Sequence, residues 1–253
     1  CAPGARSAPA SRGKVLDRNG LVLAKSLPAS AVWADPEDVE ATPEQIARLA
    51  RILEMPLPEL KRRLDAGSEK TFVYLKRQVE QDVADQVTAL DIPGVHLRKE
   101  YKRHYPEGEA LAHVVGFTNV EDVGQEGVEL ANEKTLAGRP GSRRVLRDRL
   151  GRTIEDRGVI REPFDGRDLQ LSIDSKVQFQ AFNALRDAVA FHHAKAGAVI
   201  VVDVRTGEVL ALANLPSYNP NQRGQLTGEQ LRNRVITDTF EPGSTFKPFT
   251  IAT

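Results

Sequence analysis

The sequence predicts an α+β fold in two unequal parts, and three observations carry that reading. Amphipathic helical segments and short strands alternate irregularly through the first 165 residues, without the regular βαβ spacing of a parallel sheet. Near Asp165-Gly166 the texture changes to an alternating strand, one long helix and an apolar hairpin. Before Arg12 the chain is small, Pro-rich and without periodicity, the signature of a disordered leader over residues 1–11. The division expected is thus a leader at 1–11, a module at 12–165 and a second domain beginning at 166.

Lys14-Val15-Leu16-Asp17 and Leu21-Val22-Leu23-Ala24 read as two strands joined by Arg18-Asn19-Gly20, the Asn-Gly pair supplying positive φ angles for a tight turn. Ala31-Val32-Trp33-Ala34 is a further strand, closed by Asp35-Pro36. Thr42 to Gln45 forms a capping box with Pro43 at the first helical position, and Ile46, Leu49 and Leu53 line one face until Pro56. Leu57, Leu60 and Leu64 mark a second helix, and Val79, Val83, Val87 and Leu90 a third. Phe72-Val73-Tyr74-Leu75 is a strand between these two. Residues 91–165 are rich in turns and charge. Leu146 to Ile154 reads as an extended hairpin in a linker-like region.

In the second part, Leu169, Leu171 and Ile173 alternate as a half-buried strand. Asp174 or Ser175 caps a helix running to about Ala194, with Val177, Ala181, Leu185, Val189 and Ala190 on one side. Ala198–Val204 and Val209–Ala213 form an apolar hairpin around Arg205-Thr206-Gly207-Glu208.

Composition narrows the function. Lys plus Arg and Asp plus Glu number 35 each, so the net charge of +0 offers no nucleic-acid footprint. The single cysteine, Cys1, excludes an intrachain disulfide and a cysteine zinc site. The five histidines show no metal-ligand spacing, and there is no phosphate loop, so no metal or cofactor is expected. No run of eighteen apolar residues and no signal-peptide core is present. The chain opens on Cys and ends within an apparent helix, which reads as an internal fragment with any anchor upstream.

The chemistry concentrates at Phe240-Glu241-Pro242-Gly243-Ser244-Thr245-Phe246-Lys247-Pro248. Ser244 and Lys247 lie three residues apart at a helix start, where they share a face. A serine there points toward free backbone N–H groups and the positive end of the helix dipole. This arrangement suits an acyl-transfer nucleophile with its own base. Half-neutralising a lysine at pH 7 calls for a shift of roughly 3.4 pKa units, about 4.6 kcal/mol, which burial and hydrogen bonding would have to supply. Phe246, Phe249 and Ile251 provide apolar residues for a buried helix. The alternative, a serine N-cap beside a solvated lysine, is equally compatible with local features. A bare Ser-x-x-Lys arises by chance about once in a chain of this length. Ser11-Arg12-Gly13-Lys14 is such a copy, leading from the leader into a strand with nothing to bury its lysine. Ser217-Tyr218-Asn219 and Arg205-Thr206-Gly207 imitate Ser-x-Asn and Lys-Thr-Gly, but both read as turn chemistry.

Beyond these residues, the chain from Arg12 onward resembles the class B penicillin-binding proteins, in particular their division-specific members. The resemblance rests on Arg12-Gly13-Lys14-Val15-Leu16-Asp17-Arg18-Asn19-Gly20, Trp33-Ala34-Asp35-Pro36, Tyr105-Pro106, Gly116-Phe117-Thr118-Asn119, Gln125-Glu126-Gly127-Val128-Glu129, Val202–Ala211, Ser217–Pro220 and Glu241–Pro248. It implies an elongated N-terminal pedestal (dimerisation) module, followed by the start of a penicillin-binding/serine β-lactamase-like transpeptidase domain. That domain is an antiparallel sheet with helices, incomplete here. It implies a septal peptidoglycan D,D-transpeptidase with Ser244 as nucleophile, Lys247 as base and the Ser244 backbone N–H as one oxyanion donor. The substrates would be D-Ala-D-Ala stem peptides, with β-lactams acylating the same serine. Division proteins and a septal glycosyltransferase would be the partners, at the periplasmic face of the inner membrane. Ser-x-Asn, Lys-Thr-Gly and the membrane anchor of the family would lie outside this chain, leaving it inactive alone. The rival readings are a non-catalytic periplasmic scaffold of the division machinery, or a β-lactamase or β-lactam sensor of the same fold.

Overall fold

The computed structural model describes residues 2–65, 71–147, 153–224 and 226–252. The chain opens with β1 (Ala2–Ala8), β2 (Val15–Leu16) and β3 (Val22–Ala34). Helices α1 (Pro43–Ile52) and α2 (Leu57–Asp65), β4 (Val73–Val79), α3 (Gln81–Ala89) and β5 (Val95–His104) complete a head. Short helices α4 (Ala112–Val115), α5 (Gly127–Ala131) and α6 (Glu133–Leu136) follow, then β6 (Gly141–Arg147) and β7 (Thr153–Arg161). The last part comprises β8 (Leu169–Gln170), α7 (Ser175–Phe191), β9 (Gly197–Val202), β10 (Val209–Leu215), α8 (Gly228–Leu231), α9 (Arg234–Thr237) and α10 (Lys247–Ala252). The α+β class holds.

Strand β3 organises the head. Its first residues pair antiparallel with β2, Lys25–Ala34 pair antiparallel with β5, and Ser30–Ala34 also pair antiparallel with β4 on the other side. The pair β2/β8 is parallel and ties residue 169 back to residue 15. One face of β3 and β4 packs on α1–α3 through Val32, Leu49, Leu53, Leu60, Leu75 and Val87. Each such side chain, fully buried, contributes roughly 1.5–3 kcal/mol. A second core joins Val15, Leu23, Tyr105, Leu111, Val115, Leu136 and Ile173, so that both parts of the chain share it.

Local signals act as expected where they are strong. Gln45 N–H donates to Thr42 Oγ1 at 3.2 Å, and Thr42 N–H donates to Gln45 Oε1 at 2.9 Å. Helix α1 ends before Pro56, because Glu54 takes a left-handed conformation at φ 49° and Met55 N–H closes on Ala50 O. In the β2–β3 turn only Gly20 has positive φ, at 86°. The work expected of Asn19 falls to Asp17, whose Oδ1 accepts from the N–H groups of Asn19 and Leu21, each at 2.8 Å.

Elsewhere the structure corrects the sequence reading. Residues 2–8 of the expected disordered leader form β1, in register with β6 from Ala2↔Arg147 to Ala8↔Gly141. A strand partner 133 to 145 positions later, from Ala8↔Gly141 to Ala2↔Arg147, satisfies backbone that local composition left unassigned. The linker-like hairpin is the β6–β7 part of this three-stranded sheet, and its turn at 148–152 lies outside the described residues. The charged stretch Val95–His104, expected to be turn-rich, is strand β5, and β3 runs through Pro28 as one strand where two were expected. Helix α7 starts at Asp174 as anticipated, with Oδ1 accepting from Lys176 N and Val177 N, but it ends at Phe191. Its deepest residues are Gln178 and Phe182, whereas Ala190 is exposed.

Candidate active site

The expected nucleophile block follows the β9–β10 hairpin and a loop that is fastened at several points to the N-terminal module. Gln178 on α7 is 1% exposed and holds β10 through its amide. Leu212 N–H donates to its Oε1 at 2.7 Å, while its Nε2 donates to Leu212 O at 2.8 Å and Ala110 O at 2.5 Å. Asn221 clasps Tyr105 by two bonds, Tyr105 N–H to Oδ1 at 3.0 Å and Nδ2 to Tyr105 O at 2.8 Å. His113 Nε2 lies 2.7 Å from Gln230 O, so Nε2 carries the hydrogen and donates. Burial lowers the His113 pKa, keeping the imidazole neutral.

The two decoy motifs have structural roles. Ser217 Oγ donates to Glu109 O at 2.9 Å, and the buried Tyr218 hydroxyl donates to Ala112 O at 3.0 Å. Gly207 has φ 76° at the hairpin tip, and its N–H closes on Asp203 O at 2.8 Å. Lys14 of the chance Ser11 copy is exposed.

Asn214, 1% exposed, connects the hairpin to the approach to Ser244 by accepting from Val235 N–H at 2.9 Å and donating to Asn233 Oδ1 at 3.0 Å. Gly243 then turns the chain at φ 52°, and Gly243–Phe246 form a 3₁₀ turn running into α10. Thr245 N–H and its hydroxyl both donate to Pro242 O, and Lys247 N–H donates to Ser244 O. In a 3₁₀ turn residues three apart eclipse, so Ser244 and Lys247 rise on one side. Their side chains make no hydrogen bond to each other among the described residues, and both are exposed. The expected buried helix is corrected: Phe246, Phe249 and Ile251 are 55%, 66% and 84% exposed. Phe246 and Phe249 touch each other, with ring centroids 5.4 Å apart. The described residues leave that apolar face open, so the burial required of a lysine base is not provided by them. They hold no group of three or more His, Cys, Asp or Glu able to take a metal ion.

A buried ionic cluster, undetected in the sequence, lies under the N-terminal blocks. Glu129 is 0% exposed and receives Arg12 Nε at 2.6 Å on one oxygen and Arg103 Nε at 2.7 Å on the other. Arg12 also reaches Glu133 at 2.7 Å and the Asp122 and Glu129 carbonyls. Arg103 caps Gly13 O at 2.7 Å. Beside it, Gly116 at φ 76° sits so close to Glu126 that a Cβ would lie 1.9 Å from its carbonyl oxygen. The sequence blocks at 12–20, 116–119 and 125–129 are therefore one contact. The charged Arg12 and Glu129 at the ends of two such blocks were the available signal.

The chain is similar to known proteins over nearly its whole length. The model of the penicillin-binding protein dimerisation domain matches residues 7–171, well over half of the chain. The chain belongs to the class B penicillin-binding proteins. The penicillin-binding protein transpeptidase domain matches residues 197–253. Among similar class B proteins, the peptidoglycan D,D-transpeptidase FtsI of Escherichia coli K12 is 47% identical over 248 residues, 96% of this chain and 42% of that protein. The probable peptidoglycan D,D-transpeptidase PenA of Neisseria gonorrhoeae is 46% identical over the same shares. PbpC of Pseudomonas aeruginosa, another probable enzyme of this kind, is 41% identical over 96% of this chain and 43% of its own. The chain thus spans less than half the length of these relatives. A peptidoglycan synthetase from Bifidobacterium adolescentis has the same fold, with TM-score 0.63 and 25% identity over 100% of this chain and 50% of its own.

Proposed function

We propose that this class B penicillin-binding protein is a peptidoglycan D,D-transpeptidase of septal wall synthesis. In this reading residues 12–165 form its pedestal and residues from 166 the start of its catalytic domain. The observation that carries the reading is the Ser244–Lys247 turn inside the match to the transpeptidase domain at 197–253. The names of the relatives support it.

Ser244 Oγ attacks the carbonyl between the two terminal D-alanines of a stem peptide, and Lys247 takes its proton. The C–N bond breaks, D-alanine leaves with a proton, and an amine of a neighbouring stem peptide resolves the acyl-enzyme. The Ser244 N–H supports the developing oxyanion, a donor typically worth about 10²–10³ in rate. A β-lactam acylates the same oxygen. The base role demands that Lys247 be buried, so catalysis requires a cover over the apolar face of α10. The periplasmic face of the inner membrane at the septum, an anchor, division proteins and a septal glycosyltransferase belong to this reading. No helix among the described residues is long and apolar enough to cross a membrane. The exposure of Ser244 and Lys247 favours a second reading for this stretch taken alone, a scaffold that does no chemistry.

Labelled penicillin and intact mass measurement test the proposal. The full-length protein should gain a stable adduct that Ser244→Ala removes, and residues 1–253 alone should gain none. Rapid turnover would instead indicate a β-lactamase, and no adduct on the full-length protein would sink the enzyme reading.

A further inference from the structure

Helix α9 leads into the Ser244 turn, and its N-terminus is capped from outside its own segment. Asn233 occupies the N-cap position, where an asparagine oxygen ordinarily accepts a backbone N–H of the first turn. Its side chain makes no such bond. Instead its Oδ1 accepts from Asn214 Nδ2 at 3.0 Å, and its Nδ2 points at His113 O on α4, at a longer 3.5 Å. The cap comes from strand β10, where Asn214 Oδ1 accepts from Val235 N–H, in the first turn of α9, at 2.9 Å. The two asparagines have exchanged roles. A helix capped by its own N-cap residue keeps that cap wherever the segment moves. Helix α9 keeps its cap only while it lies on β10.

The exit of α9 is braced as well. Arg234, whose side chain is 9% exposed, donates from Nε to Leu215 O at 3.3 Å, beside Asn214 on the strand. Its Nη1 reaches Asp238 Oδ2 at 3.4 Å, and Arg232 Nε donates to Asp238 Oδ1 at 2.5 Å. Residues 232–238 thus form one unit held on β10, and Thr239–Gly243 connect that unit to Ser244. Asparagine is a poor strand former, and its amide is costly to bury unless it is bonded. Asn214, 1% exposed, spends both ends of its amide on the segment that carries Ser244.

We propose that Asn214 is a positioning residue for Ser244: by capping α9 from β10 it sets where the nucleophile stands relative to the hairpin. It touches neither substrate nor reacting atoms and acts through α9. The inference rests on the acyl-transfer reading proposed above and deepens it. A misplacement of reacting groups by about 1 Å is enough to cost on the order of 10²-fold in rate.

The test is the time course of acylation of the full-length protein by penicillin at a series of concentrations, read by intact mass. It separates the limiting acylation rate constant from the half-saturating concentration. Asn214→Leu strips Val235 N–H and Asn233 Oδ1 of these partners. It should lower the limiting rate constant at least about tenfold and change half-saturation less than about twofold. Asn233→Ala leaves Val235 capped but removes the second partner of Asn214, and it should slow acylation at least about threefold. This variant carries the test if the leucine variant does not melt cooperatively. Leu60→Ala opens a cavity in the head core, measures destabilisation alone, and should acylate at the parental rate. A limiting rate constant within about twofold of the parent in the folded variant, a loss confined to half-saturation, or an equal fall in Leu60→Ala would each overturn the proposal. Acylation of the parent at a rate indifferent to Asn214 removes the positioning role alone. A parent that is not acylated at all removes the transpeptidase reading, and the positioning role with it.

Discussion

Replacing Glu129 by alanine takes from Arg103 the carboxylate it is paired with among the described residues, and from Arg12 one of its two paired carboxylates. The side chains of both arginines are 1% exposed, so neither charge can turn to water. Arg12 keeps Glu133 at 2.7 Å, but among the described residues Arg103 keeps hydrogen bonds only to Ser26 Oγ at 3.1 Å and to the carbonyls of Gly13 and Arg12. Removing one member of a buried pair costs about 3–5 kcal/mol, because the other charge stays buried. The expected loss is of that size, dominated by Arg103, and corresponds to a fall in Tm of about 10 °C for a protein of this length. Urea unfolding followed by circular dichroism and by the fluorescence of Trp33, the sole tryptophan, measures it. Arg103→Met should cost less, since it leaves Glu129 paired with Arg12. The triple change Arg12→Met, Glu129→Leu, Arg103→Met should recover much of the loss, as an apolar replacement of the whole cluster removes the stranded charge. A loss below about 1 kcal/mol for Glu129→Ala would refute the reasoning.

Two further outcomes follow from single side chains. Gln178→Leu should destabilise by about 2–3 kcal/mol in denaturant titration, since it strips Leu212 of partners for both its N–H and its carbonyl. Asp17 carries a pH signature. Burial opposes its charge, but hydrogen bonds from Leu21, Ser175 and Asn19 prevail and hold its pKa below 3.8. A depressed carboxyl stabilises the fold above its unfolded pKa and loses that contribution as pH falls through the folded value. Asp17→Asn should therefore melt below the parent at pH 7, with the gap closing below about pH 4. A gap independent of pH would show that the charge plays no part.

Helices α1 and α7 and the β2–β3 turn were legible because their signals are local. The Thr42–Gln45 box, Gly20 in its turn and Asp174 at the start of α7 each act within four residues, where sequence spacing and spatial spacing coincide. The Ser244–Lys247 pair was legible for the same reason. Strand β1 was not, because its register is set by β6 from far along the chain. Nor was β5, whose charged composition suits a surface turn until β3 pairs with it. Gln178 reads as an ordinary polar helix residue, yet it is buried because β10 and Ala110 arrive with unpaired backbone.

By itself, then, the sequence determined helices α1, α2, α3 and α7 with the caps at Thr42 and Asp174, the hairpin turns, the order of the family blocks and the placing of a serine and a lysine on one turn. Only the tertiary structure decided that Arg12, Arg103 and Glu129 meet, that the supposed leader is a strand, and that Phe246, Phe249 and Ile251 face outward. The physical reason is that backbone conformation responds to near neighbours, whereas burial and charge pairing depend on which distant segments arrive. The serine and lysine are set by the first, and the cover that would turn them into nucleophile and base belongs to the second.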